Sequence, residues 1–317
     1  MTRRPALHAP AIALPLAVLC VGLGGCPRFQ QGPTQLAPDA LYVTLGRDRV
    51  LVKDVGPRQA TAVLFIHGYS GSHDNWAVVA PRLEQRHRLL LVDLPGFGKS
   101  DKYAGDYSPG GLSRRLLALL DDKKIARAHV VGHSWGTSVA LALALQAPDR
   151  VATLTLLAPW VFEEQLAPFL RWARVPVVGE ALFALFYDQR LDDRVRHSFY
   201  EPGPFTHPDI VDRVRASMRR PGAKAAALAA ARGMRFSEMQ RRYHRIAQPA
   251  LVIAGRQDPI SWLRHAERLD KLLPDSRLVV LDRCGHVPQL ERPADVARHL
   301  GRFLAEHDPQ SSGGHAP

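Results

Sequence analysis

The chain has 317 residues, 46% of them hydrophobic, and a formal net charge of +12. This length suits one large domain or two modest ones, and the apolar content excludes a chain that is disordered over most of its length. The positive charge could attract anionic lipid or polysaccharide, but no paired-cysteine zinc spacing and no aromatic RNA-binding motif accompanies it, so we expect no nucleic-acid partner.

The N-terminal segment has the order of features that is typical of an export signal. Arg3 and Arg4 precede the apolar run PAIALPLAVLCVGLGG, whose prolines and short length favour a cleavable signal over a membrane-spanning helix. The run leads into Cys26, and the sequence LGGC resembles the bacterial lipobox, in which the cysteine becomes the lipid-modified first residue. We therefore expect a lipoprotein signal peptide over residues 1–25 and lipidation at Cys26. An ordinary signal peptide with a chance cysteine is the alternative.

This signal implies an exported protein, lipid-anchored in the bacterial cell envelope to a membrane that faces the periplasm or the exterior. Of the three cysteines, Cys20 lies in the segment to be removed and Cys26 would carry the lipid. Only Cys284 is left, so no intrachain disulfide is possible in the mature form. Cys284 and His286 form a Cys-x-His pair, which has too few ligands for a metal site, and we expect no metal.

Eight β-type runs follow a linker that we place at residues 26–40. The first two predict a hairpin, and the later ones are continuous in Val, Leu and Ile, which is typical of strands buried on both faces of a parallel sheet. In chain order the runs read LYVTLG, RVLVKDVG, AVLFIHG, RLLLVDLPG, HVVGHS, VATLTLLAP, PALVIAG and SRLVVLD. Helical patterns lie between them near residues 76–85, 112–121, 135–146, 262–273 and 294–306. This alternation predicts a doubly wound, mostly parallel, eight-stranded α/β sheet.

One long insertion interrupts this alternation. Residues 160–246 are mostly helical in character and rich in Arg and Ala, and the strand pattern resumes at PALVIAG. We expect the insertion to form a helical cap over the carboxyl edge of the sheet, where open α/β sheets bind ligands. The core then consists of residues 41–159 and 247–306, and the tail over residues 307–317 is expected to be disordered.

A serine stands between two glycines at the end of the fifth run. The sequence Gly132-His133-Ser134-Trp135-Gly136 separates this run from an Ala/Leu-rich helical segment. On a sharp strand-to-helix turn the serine hydroxyl is exposed, and the flanking glycines let the backbone pass without a side-chain clash. A serine hydroxyl is a poor nucleophile alone, because it needs a base within hydrogen-bond reach and a third group that orients the base.

Two residues later in the chain have the placement that such a serine requires. Asp258 follows the run PALVIAG, and His286 lies in a Gly-His turn after SRLVVLD. The order Ser134, Asp258, His286 is the one found in α/β-hydrolases. We therefore expect Ser134 to be the nucleophile, His286 the general base and Asp258 the acid that orients it. Asp258 could instead cap the helix that begins near Ser261, and Glu163 is the nearest acid after the sixth run.

The chain resembles the α/β-hydrolase family over about residues 41–306, in its serine-nucleophile, capped branch of epoxide-hydrolase and lipase-like proteins. LFIHGYSGSHDNW resembles that family's His-Gly oxyanion loop, and LVDLPGFGKSD resembles its Asp-x-Pro-Gly-x-Gly-x-Ser segment. The resemblance implies that Tyr69 and Trp135 donate their backbone N–H groups to an oxyanion. Haloalkane dehalogenases and epoxide hydrolases carry an aspartate where Ser134 stands, which argues against those two chemistries.

Several further side chains are candidates for the walls of a substrate pocket. The two histidines among them could instead be structural, one within its loop and one by packing, and the aromatic residues could belong to the core. The candidates are His67, Trp76, His133, Trp160 and Phe162. DLPGFGKS ends like a phosphate-binding loop, but Asp93 replaces the first glycine of that motif, which excludes a nucleotide site.

The most specific hypothesis is an esterase or lipase-like serine hydrolase that cleaves a carboxylic ester or related acyl compound through an acyl-enzyme, with no metal and no organic cofactor. Carbon–carbon bond hydrolysis of a dienoate-type ketone uses the same three side chains and is the enzymatic alternative. A lipoprotein that kept a hydrolase fold only to bind a ligand is the non-catalytic alternative. The expected partners are a small-molecule ester and a membrane, which is reached through the N-terminal lipid.

Overall fold

The computed structural model describes residues 29–35 and 41–308. The expected signal peptide over residues 1–25, the lipidation site Cys26 and most of the predicted linker and tail lie outside the described residues. No helix within the described ranges has both the length and the apolar character that crossing a bilayer requires.

Eight strands form one central sheet, which confirms the predicted mostly parallel, eight-stranded α/β architecture. The strands are β1 Tyr42–Leu45, β2 Asp48–Val55, β3 Ala62–Ile66, β4 Arg88–Val92, β5 Ala128–His133, β6 Val151–Leu157, β7 Ala250–Gly255 and β8 Ser276–Leu281. Their order across the sheet is β1-β2-β4-β3-β5-β6-β7-β8. β2 pairs antiparallel with β1 and with β4, and every other pairing is parallel. The loops after β3, β5, β7 and β8 therefore open at the same edge.

Helices cover both faces of the sheet. In strand β3, Val63 and Phe65 pack into one apolar cluster, Leu64 and Ile66 pack into the other, and all four side chains are fully buried. Such runs are typical of a parallel sheet with helices on both sides. The helices are α1 Pro109–Asp122, α2 Trp135–Gln146, α3 Pro168–Trp172, α4 Val178–Phe186, α5 Leu191–His197, α6 Pro208–Met218, α7 Ala223–Gly233, α8 Ser237–Gln240, α9 Leu263–Leu272, α10 Pro288–Glu291 and α11 Pro293–Glu306.

The stretch predicted as a helix over residues 76–85 folds differently. It forms two short 3-10 turns, at His73–Trp76 and Ala80–Arg82. Pro81 explains the interruption, because a proline has no backbone N–H to donate within a helix but is tolerated in the first turn of one. Trp76 is fully buried there and packs on Phe65, with ring centroids 5.1 Å apart.

The segment between β6 and β7 contains helices α3 to α8. Helix α7 is Ala-rich and contacts α3, α4 and α6, and most of its alanines are buried. Small side chains let these helices approach one another closely. Because β6 and β7 are neighbouring parallel strands, the segment leaves the sheet at the carboxyl edge, beside the loop that follows β5, and returns to the amino edge to enter β7.

Residues 29–35 run along the loop that follows β4. Gly32 forms an antiparallel bridge with Lys102, and the Thr34 backbone N–H donates to Asp101 Oδ1 at 2.7 Å. The buried Lys102 ammonium donates to Thr34 Oγ1 at 3.1 Å and to two backbone carbonyl oxygens of its own loop. Burial lowers the pKa of Lys102 to about 8. These contacts fix the start of the described chain against the core.

Candidate active site

Ser134 lies on a sharp turn between strand β5 and helix α2. Its backbone has φ 52° and ψ −125°, a conformation that a residue with a side chain rarely adopts. Two hydrogen bonds hold it there: the Ser134 N–H donates to the Leu157 carbonyl at 2.8 Å, and its own carbonyl accepts from the Thr137 N–H at 2.9 Å. The turn places the side chain at the edge where the parallel strands end.

The two glycines of the motif are required by close backbone contacts. A Cβ at Gly132 would lie 2.8 Å from the Gly136 carbonyl oxygen, and a Cβ at Gly136 would lie 2.6 Å from that of Ile66. Real Cβ atoms do not approach backbone this closely, so helix α2 could not start against β3 and β5 with larger residues at either position.

The structure brings Ser134, His286 and Asp258 together in one chain of hydrogen bonds. His286 Nε2 lies 2.8 Å from Ser134 Oγ, and His286 Nδ1 lies 2.8 Å from Asp258 Oδ2. A carboxylate only accepts, so Nδ1 carries the proton and the neutral ring offers Nε2 as an acceptor to the serine hydroxyl. All three residues are buried, with Ser134 and Asp258 each 4% exposed.

Asp258 does not cap the following helix, because helix α9 begins at Leu263 and has no side-chain cap. Its Oδ1 accepts from the backbone N–H groups of Ile260 and Ser261, both at 2.8 Å. Burial raises the pKa of the Asp258 carboxyl, but the attraction of His286 and the donated hydrogen bonds outweigh it and hold the pKa below its usual value. One oxygen therefore orders the loop while the other orients the His286 ring.

The backbone N–H groups of Tyr69 and Trp135 have no acceptor among the described residues. Trp135 is the first residue of helix α2, where the helix leaves its N–H groups unpaired. The loop that carries Tyr69 approaches the serine closely, since a Cβ at Gly68 would lie 3.1 Å from Ser134 Cβ. Two backbone donors are therefore available beside Ser134.

His67 connects this loop to the one after β4. Its Nδ1–H donates to the Gly68 carbonyl at 2.7 Å, and its Nε2 accepts from the Leu94 N–H at 3.0 Å, which fixes a neutral ring. Burial lowers the pKa of His67. Asp93 accepts from both the backbone N–H and the ring of His73, at 2.6 and 2.7 Å. Both side chains hold loops rather than line an open space.

Two contacts connect the same loop to the helical insertion. The Tyr69 hydroxyl donates to the Ala227 carbonyl in helix α7 at 2.8 Å, and the Ser70 hydroxyl lies 3.1 Å from that of Tyr187, just past helix α4. The sequence analysis did not identify Ser70 or Tyr187. No local pattern marks them, because the two residues are 117 positions apart in the chain.

Two further contacts hold the backbone of His286. Its N–H donates to the Ser198 carbonyl in the insertion at 2.8 Å, and its carbonyl accepts from His133 Nε2–H at 2.8 Å. Burial, and next the nearby His286, lower the pKa of His133 to about 3, so this ring is neutral. Its Nδ1 is buried and has no partner among the described residues.

The other candidates for pocket walls lie in different places. The backbone N–H of Trp160 donates to Thr137 Oγ1 at 3.1 Å. This bond puts Trp160 directly against the turn of Ser134. Trp76 belongs to the apolar cluster on the sheet face opposite Trp135. Phe162 is fully buried and lies under the Arg268 guanidinium, 4.2 Å from its ring centroid.

Two other candidate groups lie outside the hydrogen-bonded chain. The Glu163 carboxylate pairs with Arg174 and accepts from the backbone N–H of Phe236. Both partners belong to the insertion, and neither is part of the Ser134, His286 and Asp258 chain. Cys284 is buried, and burial raises the pKa of its thiol. Within the described ranges, no three His, Cys, Asp or Glu side chains converge as a metal site would require.

Comparison with known proteins agrees with this architecture. A family model described as alpha/beta hydrolase fold matches residues 61–293. A dihydrolipoyllysine-residue acetyltransferase component of an acetoin cleaving system from Pseudomonas putida is 30% identical over 80% of the chain, and the match spans 66% of that relative's length.

Two hydrolases are matched over 90% of their own length. A 2-hydroxy-6-oxononadienedioate/2-hydroxy-6-oxononatrienedioate hydrolase from Cupriavidus pinatubonensis is 30% identical over 81% of the chain. A pimeloyl-[acyl-carrier protein] methyl ester esterase from Nitrosomonas europaea is 30% identical over 73% of it. Among solved structures, Cfl2 from Burkholderia cenocepacia superposes with a TM-score of 0.74 and 24% identity, covering 86% of this chain and 99% of its own, which shows a shared fold.

Proposed function

The chain belongs to the alpha/beta hydrolase fold family, and on that premise we propose that it is a serine hydrolase of carboxylic esters or related acyl compounds. The observation that carries this proposal is the unbroken chain of hydrogen bonds from Asp258 through His286 to Ser134. The serine at position 134 and the helical insertion between β6 and β7 support a place in the capped, serine-nucleophile branch of the family.

In the proposed reaction, Ser134 Oγ attacks the carbonyl carbon while His286 Nε2 takes its proton. Asp258 holds the His286 ring in the required tautomer and stabilises the imidazolium that forms. The N–H groups of Tyr69 and Trp135 donate to the carbonyl oxygen as it becomes an oxyanion. His286 then gives the proton to the leaving alcohol, which leaves an acyl group on Ser134. A water molecule, deprotonated by His286, attacks this acyl group and releases the acid.

An aromatic stack in the insertion favours a substrate with an apolar part. Phe169 and Phe183 stack with ring centroids 5.1 Å apart, and Phe183 stacks on Tyr187 at 5.2 Å. Tyr187 in turn contacts Ser70 beside the proposed oxyanion donors. These rings are largely buried, so they make the part of the insertion next to this loop apolar, which favours a medium-length acyl or aromatic group in the substrate.

The experiment that tests the proposal is an assay of the full chain on nitrophenyl esters from acetyl to palmitoyl, together with labelling by a fluorophosphonate. We expect hydrolysis with a maximum at one chain length, and loss of both activity and labelling in Ser134→Ala. Ser113→Ala is the matched control, since this buried serine donates to the Gly110 carbonyl and has no other hydrogen bond within the described ranges. Hydrolysis that persists in Ser134→Ala would overturn the mechanism.

A second candidate function is carbon–carbon bond hydrolysis of a dienoate-type ketone. The similarity to the Cupriavidus pinatubonensis hydrolase, matched over 90% of its length, favours it. The same three side chains would serve, and an arginine of the insertion would bind the substrate carboxylate. A chain that reacts with fluorophosphonate and cleaves a vinylogous diketo acid faster than every nitrophenyl ester would establish this function instead.

We further propose that the protein is exported and anchored to a membrane through a lipid on Cys26. The support is the order of Arg3 and Arg4, the apolar run and the LGGC sequence. Metabolic labelling with a radioactive fatty acid tests this proposal. We expect incorporation into the full chain and none into Cys26→Ala, and equal incorporation into both would contradict it.

A further inference from the structure

Exposed apolar side chains concentrate in one part of the insertion. Among the described residues, five of the nine large apolar side chains that are exposed lie between Trp172 and Phe186. They are Trp172, Val175, Val177, Leu185 and Phe186, with Trp172 59% and Leu185 53% exposed. We call these five residues the α4 patch. Exposed apolar side chains that are concentrated in one segment mark an interaction site more often than a scatter of single residues does.

Helix α4 is apolar on its outer face as well as on its inner one. Phe183 and Gly179 are buried inward, whereas Val178, Leu182 and Leu185 recur at helical spacing on a face that is partly or fully exposed. Glu180 is the one charged residue of the helix. Its carboxylate is paired with Arg232, because it accepts from both terminal nitrogens of that side chain. A surface helix that is apolar all round lacks the polar face that water would favour.

The start of the described chain lies beside this patch. The Phe29 ring centroid is 6.0 Å from Lys224 Nζ, and Lys224 Nζ donates to the Ala184 carbonyl at 3.3 Å. Ala184 immediately precedes Leu185 and Phe186. Cys26 is three residues before Phe29, so covalent geometry keeps it within about 11 Å of that residue. A lipid attached there would therefore be tethered close to Phe29, whose neighbour Lys224 is hydrogen-bonded to helix α4 beside the patch.

Positively charged side chains lie next to the patch along the chain and beside Phe29. Arg171 and Arg190 are exposed at its two ends in the sequence, and Lys224 lies between the patch and Phe29. The apolar centre with cationic flanks matches the layering of an anionic bilayer, whose headgroups attract arginine and lysine while aromatic and aliphatic side chains enter the acyl boundary. The positive net charge, which is +12 for the full sequence and stays positive without Arg3 and Arg4, acts in the same direction.

We propose that the α4 patch docks on an anionic lipid bilayer, with Trp172, Leu185 and Phe186 entering the boundary between headgroups and acyl chains. The insertion, which contacts the loop of Tyr69 through Tyr187 and Ala227, would then face the membrane. This inference draws on the proposed lipid at Cys26, but it does not depend on ester hydrolysis or on which bond the enzyme cleaves.

Trp172 allows a local test with the full chain. The protein is mixed with vesicles of phosphatidylcholine and phosphatidylglycerol that carry brominated acyl chains, which quench only a tryptophan near the acyl region. We expect quenching in the wild type that falls sharply in Trp172→Phe and is unchanged in the control Trp262→Phe, because Trp262 is 47% exposed but outside the patch. Equal quenching in wild type and Trp172→Phe would overturn the proposal.

A second variant tests the aliphatic and aromatic contacts. We expect Leu185→Ser with Phe186→Ser to weaken partitioning to these vesicles by about tenfold, since two apolar side chains no longer leave water. Leu41→Ser, at a position 66% exposed, should leave partitioning unchanged. Pure phosphatidylcholine vesicles should bind more weakly than mixed ones. A wild-type dimer that Leu185→Ser with Phe186→Ser dissociates would instead identify a second copy as the occupant and overturn the proposal.

Discussion

The hydroxyl group of Tyr187, in the helical insertion, lies 3.1 Å from the hydroxyl group of Ser70, in the loop that follows strand β3. Ser70 has a positive φ of 58°, so this loop adopts a conformation that needs support from its surroundings. The neighbouring Tyr69 supplies one of the two unpaired N–H groups beside Ser134. The insertion therefore contributes to the geometry of the proposed oxyanion site through this contact.

Tyr187→Phe removes this hydrogen bond and keeps the stacking on Phe183. If Ser70 positions the oxyanion donor, kcat should fall about fivefold and KM should change little. A fivefold loss corresponds to about 1 kcal/mol of transition-state stabilisation, which is the contribution of one neutral hydrogen bond. Steady-state kinetics on the best nitrophenyl ester measure both constants. Tyr200→Phe, at an exposed tyrosine of the insertion, is the control. A rise in KM with unchanged kcat would assign Tyr187 to substrate binding instead.

Asp258→Asn should leave the fold intact and lower kcat by about 10³-fold to 10⁴-fold, because an amide no longer selects the tautomer that presents Nε2 to Ser134. The measurement is kcat on the same ester, with circular dichroism to establish folding. Asp282→Asn is a suitable control, since that carboxylate is exposed and pairs only with Arg256 among the described residues. Near-normal activity of Asp258→Asn would move the orienting role to another acid.

Gly136→Ala and Gly301→Ala are predicted to have opposite effects on stability. A Cβ at Gly136 meets backbone oxygens, whereas a Cβ at Gly301, in helix α11, makes an ordinary 3.5 Å contact with Leu83. The free energy of unfolding should fall by about 3 kcal/mol or more for Gly136→Ala and rise by about 0.5–1 kcal/mol for Gly301→Ala. Urea denaturation measures both. Equal stability of the two variants would contradict the close packing of α2 on β3.

Buried neutral histidines predict a loss of stability in acid. Burial lowers the pKa of His129 to about 4 and, together with His286, that of His133 to about 3, whereas an unfolded chain has histidines near 6.5. Between these values the unfolded chain binds protons that the folded one does not. The free energy of unfolding should therefore decrease as pH falls below about 6.5, by about 1.4 kcal/mol per pH unit for each such histidine.

His129→Gln isolates one contribution to this slope. Denaturation at several pH values between neutrality and about pH 4.5 should show a slope reduced by about 1.4 kcal/mol per pH unit relative to the wild type. His244→Gln, at an exposed histidine, is the matched control. An unchanged slope in His129→Gln would show that His129 is not kept neutral by the fold.

The sheet could be predicted because its signals are local. Continuous Val, Leu and Ile runs and the Gly132 to Gly136 motif mark buried strands and the strand-to-helix turn without reference to distant residues. Parallel strands end at one edge, and this rule was enough to predict that Asp258 and His286 would lie near Ser134. The helix predicted around Trp76 was wrong, because the position of Pro81 outweighed an apolar spacing that suits a helix.

The contacts that surround the site could not be predicted in the same way. His133 holds the His286 carbonyl across 153 positions, and Tyr187 reaches Ser70 across 117. Periodicity in the sequence predicts contacts between residues a few positions apart, so it predicts neither pair. Such distant residues meet only once the chain is folded. Trp76 and Trp160 look alike in the sequence as aromatic candidates. Trp76, however, packs on the sheet face opposite Trp135, whereas Trp160 lies against the turn of Ser134.

The distance along the chain between Ser134 and His286, 152 positions, has a consequence for biosynthesis. Strands β3, β5 and β6 and helix α2 hold the serine turn, but His286 follows β8, which pairs only with β7 at the rim of the sheet. A chain still emerging from the ribosome has the serine without its base. On the proposed mechanism such a chain is inert, and reactivity appears only in the completed molecule.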